Sequence, residues 1–358
     1  GTITFAAADA LTSAITAQLT ERKLPFSALG DQIDTVTLCF NTPFKVTAGN
    51  SDAPSNPIVQ LVAKPGETLA LTDIIGRNTS GPRAERWAFA SQIPGTAAQA
   101  AYRAMSAVFL ATTSAVAFNG YEHSGEFGKY NPAEALKSLQ DAGIQTAVLD
   151  RPAQSIDDWR NWTAGGFAPA IRWTKTAGPQ PKGGSLENDL FLVNTMGNSD
   201  FFQLMPGKGF AGDAPILARP AAAHFVHSWS ISHSADPWAV GGRWLDRGTF
   251  CYVGSVQEPY LSAFVPQAQF AQRLTRGWPI AAAGRIQPTD RPANPFSLPW
   301  RIAVIGDANW TIGPALKRTD ATPALEGATD LSAELADHLK ARRYAHALDT
   351  LAMLGRDD

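Results

Sequence analysis

Six short apolar segments between residues 115 and 305 constrain the fold of this chain more than any other feature of its sequence. They are rich in the apolar and β-branched residues that favour strands, and helical patterns or polar loops separate them. The segments are Ala115–Asn119, Ile144–Leu149, Leu190–Asn194, Ala223–Ser228, Thr249–Gly254 and Arg301–Ile305. Strands that alternate with helices form a parallel sheet with helices on both faces. The sequence therefore predicts an α/β fold with a mostly parallel, doubly wound sheet.

Helix signals lie between these segments. Asn131 and Pro132 open one helix with the residues that helix N-termini favour, and Gly143 follows its last turn. A second helix is expected at about Val240–Arg247, between two of the strands. These segments and helices define the main α/β domain, which we place at residues 115–328.

Two smaller parts flank this domain. Residues 1–114 are expected to form an N-terminal α/β subdomain, and residues 329–358 a C-terminal helical tail with an apolar leucine stripe over Leu331–Leu354. The N-terminal patterns are helices at Ala6–Leu19 and Thr96–Leu110 and strands at Thr35–Phe40 and Arg86–Ala90.

Charge and composition exclude several classes of protein. Hydrophobic residues make up 44% of the chain, which is typical of a globular protein and not of a disordered one. The formal net charge is −2, and no run of Lys and Arg is present, so we expect no nucleic-acid partner. No apolar run approaches the roughly 18–20 residues of a membrane helix, so the chain is expected not to span a membrane.

Metal and cofactor motifs are absent from the sequence. None of the histidines has the spacing of a zinc protease, and the two cysteines, Cys39 and Cys251, are far apart. Each cysteine lies in a strand-like run, where a buried small hydrophobe is the expected role. The chain also has neither a Walker-type loop nor a Gly-x-Gly-x-x-Gly turn after its first strand. We therefore predict no metal and no cofactor.

The candidate site follows from the predicted sheet, because ligands of such sheets bind beyond the carboxyl ends of the strands. Polar residues follow four of the strands at these ends. The candidate binding residues are Asn194, Met196, Asn198, Gln257, Glu258, Tyr260 and Asp307, and the candidate catalytic residues are His227, Ser228, Ser230 and His233. Gln257, Glu258 and Tyr260 are expected at the same edge as Asn194 and His227.

Three parts of the chain resemble peptidases of the caspase–gingipain clan. Phe191–Gly197 resembles the strand and loop that carry the catalytic histidine of that clan, and His224–Ser230 resembles the next strand, which ends in the catalytic cysteine. Gly241–Tyr260 is similar to a helix, a strand and a Glu-Pro turn of gingipain-like proteins. The pattern looks most like a family of exported bacterial proteins distantly related to gingipains. This resemblance implies a caspase/gingipain-like fold and an extracellular or periplasmic location.

The chain departs from that clan at both catalytic positions. Met196 stands where an active member has histidine, and the cysteine position falls among His227, Ser228, Trp229 and Ser230. A thioether accepts and passes no proton, so Met196 removes the general base. The resemblance therefore implies a pseudoenzyme, a binding or structural component of an exported assembly, with a protein or peptide partner rather than a small molecule.

A hydrolase of the peptidase type is the alternative. It would use Ser228 or Ser230 with His227 or His233 at the same edge, since a serine nucleophile needs an oriented base. A serine hydroxyl within hydrogen-bonding distance of a histidine nitrogen in the cleft would favour this alternative.

Overall fold

A sheet of nine strands dominates the described part of this computed structural model. The strands are β2 (Thr35–Cys39), β5 (Phe89–Ile93), β6 (Ser114–Asn119), β7 (Gln145–Asp150), β8 (Arg172–Trp173), β9 (Leu190–Asn194), β12 (Ala221–Val226), β13 (Thr249–Ser255) and β14 (Ile302–Ile305). Their order across the sheet is β2-β5-β14-β13-β12-β9-β6-β7-β8. The structure describes residues 1–39, 42–48, 66–78, 85–94, 111–121, 124–150, 172–173, 188–203, 207–215, 217, 220–286, 297–313 and 331–340.

The strand directions divide the sheet into two blocks. Strands β13, β12, β9, β6 and β7 run parallel to one another, and β14, β5 and β2 run parallel to one another in the opposite direction. The antiparallel pairs are β13 with β14 and β7 with β8. The predicted α/β fold with a mostly parallel sheet is therefore confirmed, and all six predicted segments contribute strands to it.

Shorter elements surround this sheet. A small sheet holds β1 (Thr2–Thr4), β3 (Lys45–Thr47) and β4 (Thr68–Ala70), and β10 (Phe201–Gln203) pairs with β11 (Lys208–Phe210). The helices are α1 (Phe5–Glu21), α2 (Leu71–Ile74), α3 (Ala133–Asp141), α4 (Val240–Asp246), α5 (Gln267–Thr275), α6 (Ile280–Ala283) and α7 (Leu331–Lys340).

The predicted boundaries of α3 have a clear chemical origin. The Asn131 side chain accepts a hydrogen bond from the Ala133 backbone N–H at 2.9 Å. Gly143 has a φ of 83°, the left-handed conformation that ends helices and that side chains disfavour. Leu136 and Leu139 form the buried face of the helix.

The sheet is covered on both faces, as a doubly wound architecture requires. Along β9, Leu190 and Leu192 pack into the core beside α3 and α5, whereas Phe191 and Val193 pack into the core beside α4. On the second face the rings of Phe191 and Trp244 lie 5.1 Å apart, edge to face. This burial on both faces explains why the strands are almost continuously apolar.

The described boundaries differ from several expectations. Residues Gly1–Leu316 form one compact unit and Lys317–Asp358 a second. The expected subdomain boundary at residues 114 and 115 falls inside one sheet, because β2 and β5 extend it beyond β14. The strand expected at Arg86–Ala90 lies instead at Phe89–Ile93.

The two cysteines, both expected to be buried, differ in the structure. Cys251 is buried as predicted, but Cys39 is exposed because it lies at the end of the edge strand β2.

The helix predicted at Thr96–Leu110 lies outside the described residues. In the predicted tail, α7 covers Leu331–Lys340, and residues 341–358 lie outside the described part of the chain.

Candidate active-site edge

The candidate site lies where the connectivity of the sheet reverses. The chain passes from β6 to its neighbour β7 and then returns to β9 on the other side of β6. Crevices beyond the carboxyl ends of strands at such a switch point are the usual ligand sites of doubly wound sheets. Asn119, Asn194 and Val226 are in register at this edge, at the ends of β6, β9 and β12. We call this rim, with the loops that follow β6, β9, β12 and β13, the switch-point edge.

Asn194 is part of the floor of this edge. Its side chain is fully buried, and its amide nitrogen donates hydrogen bonds to the backbone oxygen of Tyr130 and to Asn119 Oδ1. Its backbone oxygen accepts a hydrogen bond from Gly120 at 2.7 Å. The predicted binding residue Asn194 therefore joins two strand ends and the segment after β6, and its side chain does not reach the surface.

Tyr121 is a central residue of the edge that the sequence analysis missed. Its buried hydroxyl group lies 3.1 Å from the backbone oxygen of Thr195 and 3.2 Å from that of Val226, so it donates to the ends of two strands. Burial, with the nearby Tyr130 and Glu258, raises the pKa of Tyr121 far above its usual value. The sequence signal for Tyr121 is its place just after β6, at the end of a predicted strand.

His227 is buried and held as a neutral ring. Its Nε2 lies 2.9 Å from the backbone oxygen of Asn198 and donates to it, which leaves Nδ1 as the unprotonated nitrogen. Burial lowers the pKa of His227 to about 4, and the hydrogen bond to Asn198 opposes this shift only partly. Gly197 lies against the ring, since a Cβ atom there would come within 2.4 Å of His227 Cε1. The exposed Asn198 thus contributes its backbone oxygen to this arrangement.

The two candidate serines of this edge do not pair with a histidine in the described structure. Ser230 is buried, and its Oγ accepts the Ser255 backbone N–H at 3.1 Å. Ser255 Oγ in turn donates to the backbone oxygen of His227 at 2.9 Å. Ser228 lies past the end of β12 and is half-buried. These contacts connect the loops after β12 and β13.

A serine–histidine contact does occur, but at Ser232. Its Oγ lies 2.9 Å from Nδ1 of the exposed His233, and Ser232 itself is buried. Partial burial and then the charge of Lys45 lower the pKa of His233, and Asp236 opposes them. Sequence analysis selected His233 and missed Ser232, because the hydroxyl–imidazole distance depends on the turn between β12 and α4.

An apolar and an aromatic side chain are exposed at this edge. Met196 is 46% exposed and Tyr260 48% exposed, and Gln257 and Glu258 are half-buried. Glu258 Oε1 accepts the Tyr260 backbone N–H at 2.9 Å. The structure thus places Gln257, Glu258 and Tyr260 after β13, which is parallel to β12, at the edge that holds Asn194 and His227.

Backbone strain is found in two loops of this edge. Trp229 and Tyr260 have φ angles of 62° and 61°, in the left-handed region that non-glycine residues disfavour. Such residues cost on the order of 1–3 kcal/mol each and often occur at functional sites. They follow β12 and β13, the two strands whose loops hold the candidate serines and Glu258.

Asp307 does not belong to this edge, which corrects the sequence prediction. It follows β14, and β14 runs antiparallel to β13, so its carboxyl end lies at the opposite edge. There the Asp307 backbone oxygen accepts a hydrogen bond from Cys251 Sγ at 3.7 Å. Burial and the nearby Asp307 raise the pKa of the Cys251 thiol, which keeps it protonated.

The described residues contain no group of three or more His, Cys, Asp or Glu side chains arranged to hold a metal ion. A search of the same residues for a helix long and apolar enough to cross a membrane found none.

The chain shows distant structural similarity to a protein of known structure. No protein-family profile and no curated protein matches the sequence. The chain is similar to the crystal structure of the Arg-specific cysteine proteinase gingipain R, with 10% sequence identity and a TM-score of 0.48. The match covers 83% of this chain and 68% of that chain. This likeness concerns the fold alone.

Proposed function

We propose that this chain is a gingipain-like pseudo-peptidase that binds a protein or peptide at the switch-point edge, as a component of an extracellular or periplasmic assembly. The observation that carries the proposal is that several polar groups at this edge are buried and already hydrogen-bonded, while apolar and aromatic side chains are exposed. His227, Ser230, Ser255 and Tyr121 are buried and bonded to backbone groups, whereas Met196 and Tyr260 are exposed.

The chemistry of His227 argues against general-base catalysis there. A base must reach the proton it abstracts and must have a pKa near the working pH. His227 is fully buried, and its pKa is lowered to about 4. Met196, which takes the place of the clan's histidine in the sequence resemblance, has no proton-accepting nitrogen.

The exposed side chains favour a protein or peptide partner. Methionine adapts to irregular surfaces, and aromatic residues and methionine are enriched at protein interfaces. The strained backbone of Tyr260 is held by the hydrogen bond from its N–H to the Glu258 carboxylate. An exposed aromatic ring and an adaptable thioether at one edge of the sheet are suitable anchors for apolar side chains of a peptide.

Hydrolysis remains the second candidate because Ser232 Oγ lies within hydrogen-bonding distance of His233 Nδ1. Ser232 is buried, so an attack on a peptide requires that the turn after β12 open first. A serine-directed fluorophosphonate and a panel of peptide substrates test this candidate. We expect neither labelling nor turnover; labelling of Ser232 that disappears in Ser232→Ala, with turnover lost in parallel, would establish the hydrolase instead.

Binding is tested with a random peptide library displayed on phage and selected on the folded chain. Selected peptides are then titrated against the chain with ¹³C-labelled methionine methyl groups; the chain has 4 methionines, and Met196→Leu assigns the relevant signal. We expect the Met196 signal to shift and Tyr260→Ala to weaken binding about tenfold, since aromatic anchors carry much of the binding energy.

The control is Trp278→Ala, which removes an exposed aromatic side chain beyond the end of α5 and is expected to leave binding unchanged. If selection yields no peptide, or if the peptides bind Tyr260→Ala and Trp278→Ala equally well and leave the Met196 signal in place, the switch-point edge is not the binding surface.

A further inference from the structure

A small antiparallel sheet follows β9 at the switch-point edge. Two of its strands are β10 and β11, and the third is the short segment Met196–Asn198. Gly197 of this segment bridges to Phe202 of β10, and the Gln203 N–H donates to the backbone oxygen of Met196 at 2.7 Å. Paired residues of neighbouring strands share a face, and successive residues of one strand alternate between faces. The pairing therefore determines which side chains share each face of this small sheet.

The inner face packs on the core of the protein. It holds Gly197, Phe202 and Gly209. Phe202 is buried, and its ring lies 6.4 Å from the ring of Phe118 in β6, edge to face. Gly209 is buried under Phe202, since a Cβ atom there would overlap the Phe202 ring. The opposite face of the small sheet is therefore the one that meets solvent.

This outer face is largely apolar and aromatic. Phe210 is 52% exposed and Met196 46% exposed, and Phe201 in the middle strand is half-buried. The Lys208 ammonium group lies 4.0 Å from the centroid of the Phe201 ring, a cation–π contact that holds the ammonium above the face. We call this surface the hairpin face, and its residues are Met196, Asn198, Phe201, Gln203, Lys208 and Phe210.

Lys208 sets the charge of the hairpin face. None of the residues of the face is Asp or Glu. Lys208 is exposed, and within the described part of the chain its ammonium group has no carboxylate partner. An exposed cation among aromatic and apolar side chains is complementary to a partner that carries a carboxylate beside an apolar side chain.

The geometry favours binding across the face over addition of a strand to β11. The Phe210 N–H, on the side of β11 away from β10, already donates to Asp213 Oδ2 at 2.9 Å. An added strand needs the outward N–H and C=O groups of the edge, and this N–H is occupied. In an extended peptide, side chains two residues apart lie on one side, at the same spacing as Lys208 and Phe210 on β11.

We propose that the hairpin face binds an extended peptide segment of a partner protein with a carboxylate side chain for Lys208 and, two residues away, an apolar side chain for Phe210 and Met196. This inference rests on the proposed function, since it names the chemistry of the partner and the part of the switch-point edge that recognises it.

The first test repeats the selection from the phage-displayed peptide library on Lys208→Met. This variant keeps an unbranched aliphatic side chain and removes its charge. Peptides selected on the unsubstituted chain should be enriched in Asp or Glu with an apolar residue two positions away. We expect the acidic enrichment to disappear on Lys208→Met and the apolar enrichment to remain.

Affinity measurements on one selected peptide complete the test, with the fluorescent synthetic peptide as the probe. Phe210→Ala should weaken binding about tenfold, since it removes an aromatic anchor. Lys208→Met should weaken it about two- to fivefold and make it less dependent on salt, whereas Lys208→Arg should keep both properties. Lys137→Met removes the charge of an exposed lysine on α3 and should change neither the affinity nor its salt dependence.

The outcomes separate this inference from the proposed function. Selected peptides that depend on Tyr260 but bind Lys208→Met and Phe210→Ala with unchanged affinity would overturn the inference and leave the proposed function in place. Selection of no peptide would overturn both. Sedimentation of the chain without peptide should be the same before and after Phe210→Ala; a dimer that dissociates in this variant would assign the hairpin face to a second copy and overturn the inference.

Discussion

Asp73 in α2 and His227 at the switch-point edge are both buried titratable groups, yet the first is held charged and the second neutral. Burial alone would raise the pKa of Asp73, but the guanidinium groups of Arg77, Arg86 and Arg285 outweigh burial and hold that pKa well below its usual value. No comparable charge is among the causes of the His227 shift, so burial dominates and the ring loses its proton.

The two regions differ in what their bonds connect. Arg285 Nη1 lies 2.9 Å from Asp73 Oδ1 and also donates to the backbone oxygen of Ile302, and Arg77 Nη2 lies 2.9 Å from Asp73 Oδ2. Arg285, which follows α6, thus connects Asp73 of α2 to the backbone of β14. The switch-point edge instead uses neutral hydrogen bonds between neighbouring loops. Removing one partner of a buried ion pair lowers the unfolding free energy much more than removing one partner of a neutral hydrogen bond does. The two regions should therefore respond very differently to substitution.

The largest effect is expected for Asp73→Asn, which keeps the shape of the side chain and removes its charge. The guanidinium groups around it would be left buried without a compensating carboxylate, and we expect a loss of about 3–5 kcal/mol of unfolding free energy. Urea denaturation measures the loss. Asp141→Asn makes the same change in the exposed pair with Lys137 and should cost less than about 1 kcal/mol. Similar costs at both positions would show that the Asp73 network does not stabilise the fold.

The second prediction separates the two regions by pH. His227 has a lower pKa in the folded chain than its ordinary value of about 6.5, so the unfolded chain binds more protons as the pH falls. Stability is therefore lost from about pH 6.5 down to about 4, by at most about 3 kcal/mol from this residue. The low pKa of Asp73 costs stability only below about pH 4, the ordinary Asp value.

Denaturation between pH 7 and pH 4 measures this difference. His227→Gln removes the titrating group, so its stability should fall less over this range than that of the unsubstituted chain. His224 is also buried with a pKa lowered to about 3 and contributes in the same range, so part of the slope should remain. Parallel curves for the variant and the unsubstituted chain would mean that His227 is not held neutral by burial.

An effect of about 1 kcal/mol is expected for Tyr121→Phe, which removes the hydroxyl shared by the backbone oxygens of Thr195 and Val226. Because these oxygens belong to the ends of two strands, amide exchange should rise in the loops after β9 and β12 and stay unchanged around Asp73. Phe127→Leu, a change in the ring that packs on Tyr121 at 4.9 Å, is the control that leaves the hydroxyl in place. Exchange that rises equally in both variants would assign the effect to ring packing.

Sequence patterns predicted the strands well and their directions less well. The apolar segments placed six strands in one sheet, because burial on both faces leaves a continuous apolar run in the sequence. Strand direction produces no comparable sequence pattern, since the same residues can form a parallel or an antiparallel strand. Because β14 is antiparallel to β13, Asp307 lies at the opposite edge, although the strand before it was predicted correctly.

The side-chain networks were beyond sequence analysis for a related reason. Asp73 and Arg285 lie 212 residues apart, and they meet because α2 and the segment after α6 both pack beside β14. Tyr121 could have been selected as a site residue from the sequence, because it follows the end of a predicted strand. The burial of Asn194 could not be predicted, since it accompanies hydrogen bonds to Tyr130 and Asn119, which are distant in sequence.

The smallest effect on stability is expected for Met196→Ala, at the exposed surface of the same edge. The side chain is 46% exposed, and substitutions at such positions usually change the unfolding free energy by no more than about 0.5 kcal/mol. This expectation separates the surface of the switch-point edge from its floor, where Tyr121→Phe should cost more. It also makes Met196→Ala a sound variant for the peptide experiment, because weaker binding without lost stability points to direct contact. A loss above about 2 kcal/mol would instead place Met196 in the packing that supports the loop.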